Sequence, residues 1–143
     1  MKPELNGPYW ALRLGIGLTA FLAGLDKFSH LLVDWNMYLN PLALTLIPLS
    51  ADTFMRMVGV VEVVVGIAIL SGWTRLGAYV AAAWLFGIAL NLVTMGRFFD
   101  IAVRDVGLSI AAFTLARLAE VRDPVAAHEG VRPTAPGAIR TRA

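Results

Sequence analysis

The sequence contains no cysteine and only two histidines, His30 and His128. The first absence excludes disulfides, thiolate metal sites, iron-sulfur clusters and c-type haem attachment. The second, with one histidine in a connecting segment and the other in a polar tail, excludes a bis-histidine haem within a helical bundle. Charge is also scarce: Asp, Glu, Lys and Arg make up 15% of the residues, against 58% hydrophobic residues, with a mean hydropathy of +0.70. Such a composition lies outside the range of water-soluble globular domains. The net charge of +2 does not indicate a nucleic-acid partner, because the basic residues are scattered singly, many at the ends of apolar runs. No glycine-rich phosphate loop and no hydrolytic motif is present.

What the chain has in abundance is long apolar sequence, and one run organises the rest. Thr53 to Gly72, TFMRMVGVVEVVVGIAILSG, is apolar almost throughout and carries a carboxylate, Glu62, at its centre. A helix of that length covers about 30 Å, the hydrocarbon thickness of a bilayer. A carboxylate at mid-membrane costs about 2.5–3.5 kcal/mol on insertion scales, so Glu62 must face protein or water rather than lipid. The other runs are then expected to surround it.

The expected fold is all-α: a transmembrane four-helix bundle with spans over about 9–28, 53–72, 75–95 and 101–118, a short interfacial helix between the first two, and a disordered cytoplasmic tail over 123–143 after a membrane domain of 1–122. No A-x-A-like site precedes Asp26, so the first run is expected to remain as a span rather than to be cleaved. Phe28, Leu31, Leu32, Trp35 and Tyr38 or Leu39 recur at helical spacing, which predicts an amphipathic helix lying on the membrane surface. Leu42 to Leu49, bounded by Pro41 and interrupted by Pro48, is too short to cross and reads as re-entrant or surface-lying. Asp52 or Thr53 is the expected N-cap of the second span, and Gly72 the C-cap. Four spans put both termini on one face. Eight basic residues (Lys2, Arg13, Arg75, Arg117, Arg122, Arg132, Arg140, Arg142) then share that face against four (Lys27, Arg56, Arg97, Arg104) on the other, which places both termini in the cytoplasm of a bacterial-type inner membrane. Each of those four lies near a carboxylate, Lys27 beside Asp26 and Arg104 beside Asp105, as local ion pairs would. Arg13 is expected to snorkel to the headgroups, and Trp and Tyr residues 9, 10, 35, 38, 73 and 79 to anchor the interfaces.

Depth along the spans decides which polar residues can meet. Glu62 is near mid-membrane, Asp105 and Ser109 fall in the outer half of the fourth span, Asn91 is about one turn from the outer end of the third, and Lys27 closes the first. With Arg104 they define a polar chamber in the outer half of the bundle. Glu62 and Asp105 would accept hydrogen bonds or protons from a small polar headgroup, and Lys27 or Arg104 would supply positive charge. The same residues also admit a purely structural role: interfacial ion pairs at Asp26/Lys27 and Arg104/Asp105, an interhelical hydrogen bond at Asn91 and a protonated Glu62 bonded to a neighbouring helix.

Two stretches resemble a known family. LRLGIGLTAFLAGLDKF (12–28) is similar to an R-x-x-G-x-x-F-x-x-x-G-x-x-K pattern, and GVVEVVVGIAILSGWTRLGAY (59–79) to a G-x-x-E-x-x-x-G-x-x-L-x-x-G-x-x-x-R-x-x-A segment, of the DoxX/DoxD-like family of small integral membrane proteins. The first match departs in that Gly15 follows Arg13 after one residue, and 29–52 has no counterpart in either pattern. The resemblance implies a four-helix membrane protein serving as a subunit or partner in quinone-linked oxidoreduction, thiosulfate:quinone oxidoreductases included. It aligns Lys27 and Glu62 with the family's polar positions and Arg75 with its post-span Arg. Quinone is the ligand so implied, no intrinsic cofactor or metal is expected, and electrons would come from a redox or periplasmic partner protein. The alternatives are a non-catalytic scaffold docking a partner through 29–52, or an oligomeric transporter of a small solute or protons, for which one copy of four short spans leaves little room. Small residues at Gly15/Thr19 and Ala83/Gly87 allow a homodimer.

Overall fold

The computed structural model describes residues 1–122, so the expectation of a disordered tail over 123–143 lies outside the described residues. Those residues form five α-helices and two short 3-10 segments, with no strand among them. A 3-10 turn at Pro3–Leu5 leads into α1 (Asn6–Ser29); a second 3-10 turn (Trp35–Tyr38) and the short α2 (Pro41–Leu46) connect it to α3 (Ala51–Leu70), followed by α4 (Thr74–Thr94) and α5 (Phe99–Arg122). α3 and α4 are each long and apolar enough to cross a membrane.

The helices pair by close backbone approach. α1 lies against α3 in antiparallel register through two glycines on each helix. A Cβ added at Gly24 would lie 2.7 Å from the Gly59 carbonyl oxygen, one at Gly59 would lie 2.7 Å from that of Gly24, and one at Gly66 would lie 2.9 Å from that of Gly17. Where lipid tails compete equally for apolar side chains, such approach supplies the dispersion contact that holds helices together. α4 packs on α5 through small residues, Ala78, Ala82, Ala112, Ala116 and Ala119, all buried.

The two pairs join at the end that carries the α3–α4 turn. There Tyr9, Ile16, Val65, Ile69, Ala78 and Leu115 form one apolar cluster drawn from all four long helices. Arg13 fastens the junction. Its Nε donates to the Ile69 carbonyl at 2.9 Å and its Nη2 to that of Leu70 at 2.8 Å and also to that of Ser71, while its guanidinium lies 4.7 Å from the Trp10 ring centroid. These carbonyls are the ones a helix leaves unpartnered at its C-terminus, so Arg13 caps α3 instead of snorkelling outward. Tyr9 is likewise buried in the cluster rather than placed at an interface.

At the opposite end the second buried cluster, Ala89, Leu92 and Ala102, belongs to α4 and α5 alone. The α1/α3 and α4/α5 pairs are bridged there by the connecting segment, and this segment departs most from expectation. No continuous helix forms over 29–39. His30 turns into the left-handed region (φ 52°), and the freed N–H groups of Leu31 and Leu32 donate to Asp26 Oδ1 at 2.9 and 3.0 Å. An aspartate in the last turn thus ends the helix by accepting from the chain that leaves it. Leu31 and Leu32 are exposed, while Leu39 is buried. α2 starts at Pro41 with Asn40 as N-cap, and α3 starts at Ala51 with Ser50 as N-cap, two or three residues before the expected Asp52 or Thr53. The C-cap of α3 is Ser71, not Gly72.

Candidate functional site

Lys27, in the last turn of α1, reaches across to Glu62 in the middle of α3. Its Nζ lies 2.6 Å from Oε2, and the two side chains are 5% and 11% exposed, so the pair is shut off from the surroundings of the bundle. The ammonium also sits 3.7 Å from the centroid of the Trp35 ring, on the π-face that attracts a cation. Asp26 is not the partner of Lys27. Successive helical residues point about 100° apart, and Asp26 faces the connecting segment, where Trp35 Nε1 donates to Oδ2 at 2.7 Å and the Leu31 and Leu32 amides to Oδ1. Asp26 therefore holds the indole that covers Lys27.

On the facing pair, Asp105 of α5 is 3% exposed and accepts from both Nε and Nη2 of Arg104, at 3.0 and 2.9 Å. This neighbouring pair does form, because the Arg104 side chain folds back from its exposed position. Asn91 of α4 donates from Nδ2 to the Tyr38 carbonyl at 3.1 Å, Asn40 donates to Thr94 Oγ1 at 3.3 Å, and the Tyr38 ring meets Phe98 edge-on at 4.9 Å. Phe98 takes a positive φ of 60° to present its ring there, a conformation unusual for a bulky residue. Residues 35–40 thus form a strap, tied to α1 through Asp26 and to α4 and α5 through Asn91, Thr94 and Phe98. Ser109 donates to the Ala82 carbonyl at 2.7 Å and joins α5 to α4.

Between the pairs lies a cavity of about 770 Å³. Ile16, Val65, Ala81 and Leu108 lie towards the apolar junction, the strap residues Trp35, Tyr38 and Leu39 cover the other end, and Lys27, Glu62, Asn91, Arg104 and Asp105 all line it. The volume suits a small organic molecule. Thr19, Ala83 and Gly87 line it and are also exposed, so the cavity reaches the outer surface of the bundle. The polar residues singled out in the sequence therefore share one wall system, with Asn91 acting chiefly on the strap. His30 stands apart from the cavity, 3.3 Å from Asp52, which also pairs with Arg56 at 3.0 Å.

Sequence reasoning missed four contributors. Trp35 and Tyr38 read as interface anchors but turn inward as the cover, and only the helical periodicity that marked them as apolar-facing hinted at it. Asp26 read as a neutralising neighbour. Trp84 carried no signal at all, since a tryptophan among Ala, Leu and Phe looks like a lipid-facing residue. It lines the cavity, and its Nε1 is buried without a protein partner among the described residues.

An all-helical bundle with two apolar helices long enough to cross a membrane, enclosing a cavity with a buried Lys–Glu pair, fits the class of small helical membrane proteins. The DoxX family description matches residues 9–97, well over half of the chain, and the chain belongs to that family. It is a DoxX-family membrane protein. No curated protein and no solved structure matches it.

Proposed function

We propose that the protein crosses the membrane four times and serves as a quinone-interacting or accessory subunit of a membrane oxidoreductase, taking the lipophilic head of its ligand into the cavity around Glu62. The observation that carries this reading is the Lys27–Glu62 pair, secluded from its surroundings yet lining a cavity of about 770 Å³ whose other walls are largely apolar. An ion pair in such a place is expensive to desolvate and carries a functional presumption. When bound, a quinone supplies two-electron, two-proton redox chemistry, and its apolar body suits the Ile16, Val65 and Leu108 end of the cavity. The chain's own part is then to position the head and to exchange protons: Lys27 Nζ holds a proton against Glu62 Oε2, and Asp105 offers a second carboxyl on the facing helix pair. Electrons come from a partner subunit, because a chain without cysteine has no thiolate centre to carry them.

The test is direct. Purified protein in detergent should bind decylubiquinone saturably, and Glu62→Gln should slow quinone reduction by the reconstituted partner system. Absence of binding, together with unchanged partner-dependent reduction in Glu62→Gln, would overturn the reading.

A second reading, a scaffold that docks a partner, is favoured by the exposed leucines of the connecting segment, Leu31, Leu32, Leu42 and Leu46, at 85%, 77%, 66% and 83% exposure. Changing these four to serine should abolish recovery of a partner by cross-linking in membranes, and unchanged recovery would remove it.

A further inference from the structure

The cavity's polar groups are not equivalent. Lys27 faces Glu62 and Arg104 faces Asp105, so each charge that lines the cavity already has a counter-charge. A charged head would arrive without a counter-ion of its own in a region of low dielectric, a costly placement. Trp84 of α4 differs. Its indole nitrogen is buried and donates to no protein group among the described residues. The Glu62 carboxyl lies close enough to interact with the indole N–H, but it gives Oε2 to Lys27 and forms no hydrogen bond of good geometry with Trp84. An indole N–H is a donor only, and leaving it unpaired in an apolar setting carries a desolvation cost that a neutral acceptor would relieve.

We infer that Trp84 is the residue that reads the ligand's head: its Nε1–H donates to an uncharged carbonyl oxygen of the molecule occupying the cavity, so that the site selects neutral carbonyl-bearing lipophiles over charged amphiphiles and over hydrocarbons of the same shape. This rests on the proposed ligand cavity and adds to it the group that confers selectivity. Trp84 acts by holding the head in place. The proton-exchanging groups remain Lys27 and Glu62.

The experiment compares two probes, decylubiquinone and a decylbenzene that carries the same methyl and methoxy groups, so that the two differ in the carbonyl oxygens and in the aromatic ring that replaces the quinone. Each is titrated into the purified, isotope-labelled protein and followed by proton–nitrogen correlation spectra. Trp84→Phe should weaken decylubiquinone binding about five-fold, the worth of one neutral hydrogen bond, and leave decylbenzene binding as it was. In the unsubstituted protein, the Trp84 indole signal should move downfield with decylubiquinone and much less with decylbenzene. If Trp84→Phe fails to fold, that signal is assigned by elimination with Phe variants of Trp10, Trp35 and Trp73, and its response decides alone. Equal loss of both probes, no loss of either, or an indole signal indifferent to the carbonyl would overturn the inference while the cavity's occupancy by a quinone stood. Failure of the unsubstituted protein to bind decylubiquinone at all would remove both.

Discussion

At the scale of single residues, the decisive contact joins two side chains 35 positions apart, and its energetics are asymmetric. A buried pair contributes little net stability relative to a well-packed apolar replacement, yet removing one partner strands the other. Lys27→Met or Glu62→Leu alone should each lower stability by about 3–5 kcal/mol, whereas the double variant should recover most of that loss. Unfolding of the purified protein by increasing SDS in mixed micelles measures the cycle. Additive losses would show that the two do not interact as the geometry implies. Glu62 was legible in the sequence because an apolar run interrupted by one carboxylate forces the question of what shields it. Its partner was not. Asp26 adjoins Lys27 and invites a local pairing, and only the fold shows that the aspartate is occupied by the Leu31, Leu32 and Trp35 N–H groups. Trp84 was silent for a related reason, since the feature that distinguishes it is an unmet donor, and the composition of a helix does not display unmet donors.

At the scale of elements, the α1–α3 contact makes a sharp distinction among glycines that look alike in sequence. Gly24, Gly59 and Gly66 have backbone atoms of the facing helix within 3 Å of where a Cβ would stand, so backbone rather than a flexible side-chain tip would have to move. Gly24→Ala or Gly66→Ala should therefore cost about 1–3 kcal/mol by overpacking and should disturb the Lys27–Glu62 register. Gly15 and Gly87 have open space at the same point, and alanine there should be neutral or stabilising by up to about 1 kcal/mol through helix propensity. Thermal unfolding in detergent, run on all four variants, checks both halves of the statement. Arg13 provides a companion case. Because its fork meets consecutive carbonyls at the α3 C-terminus, Arg13→Lys should lose more than one charge-assisted bond, about 1.5–3 kcal/mol, despite keeping the charge. A residue at the headgroups would tolerate the change. The connecting segment shows what periodicity can and cannot convey: the spacing predicted one surface-lying helix from Phe28 to Leu39, but Leu31 and Leu32 are exposed while Trp35, Tyr38 and Leu39 line the cavity, because the backbone is a left-handed turn and a 3-10 segment set by Asp26 and His30 rather than by apolar spacing.

At the scale of the whole molecule, the four long helices run alternately between two ends. Arg13 meets the α3–α4 turn and Asn6 meets Arg122 at one end, while Asn40 meets Thr94 at the other. Helices of 20–24 residues are about 30–36 Å long, the thickness of a bilayer's hydrocarbon, and α3 and α4 are also apolar enough to cross it. If the chain spans the membrane as proposed, its eight-to-four distribution of basic residues predicts that the α3–α4 turn faces the cytoplasm. The absence of cysteine makes this testable on the purified chain, because any label it carries comes from an introduced residue. Leu46→Cys at the strap end and Gly72→Cys in the turn are both exposed positions. In intact bacterial cells stripped of their outer membrane, a membrane-impermeant maleimide should label the first and spare the second until the membrane is permeabilised. Labelling of both from outside would mean that α3 does not cross, and with it would go the seclusion of Glu62 from water and lipid on which the quinone reading depends. The reverse pattern would keep the four spans and the cavity but open the strap to the cytoplasm, so that a partner delivering electrons would have to be sought on that side.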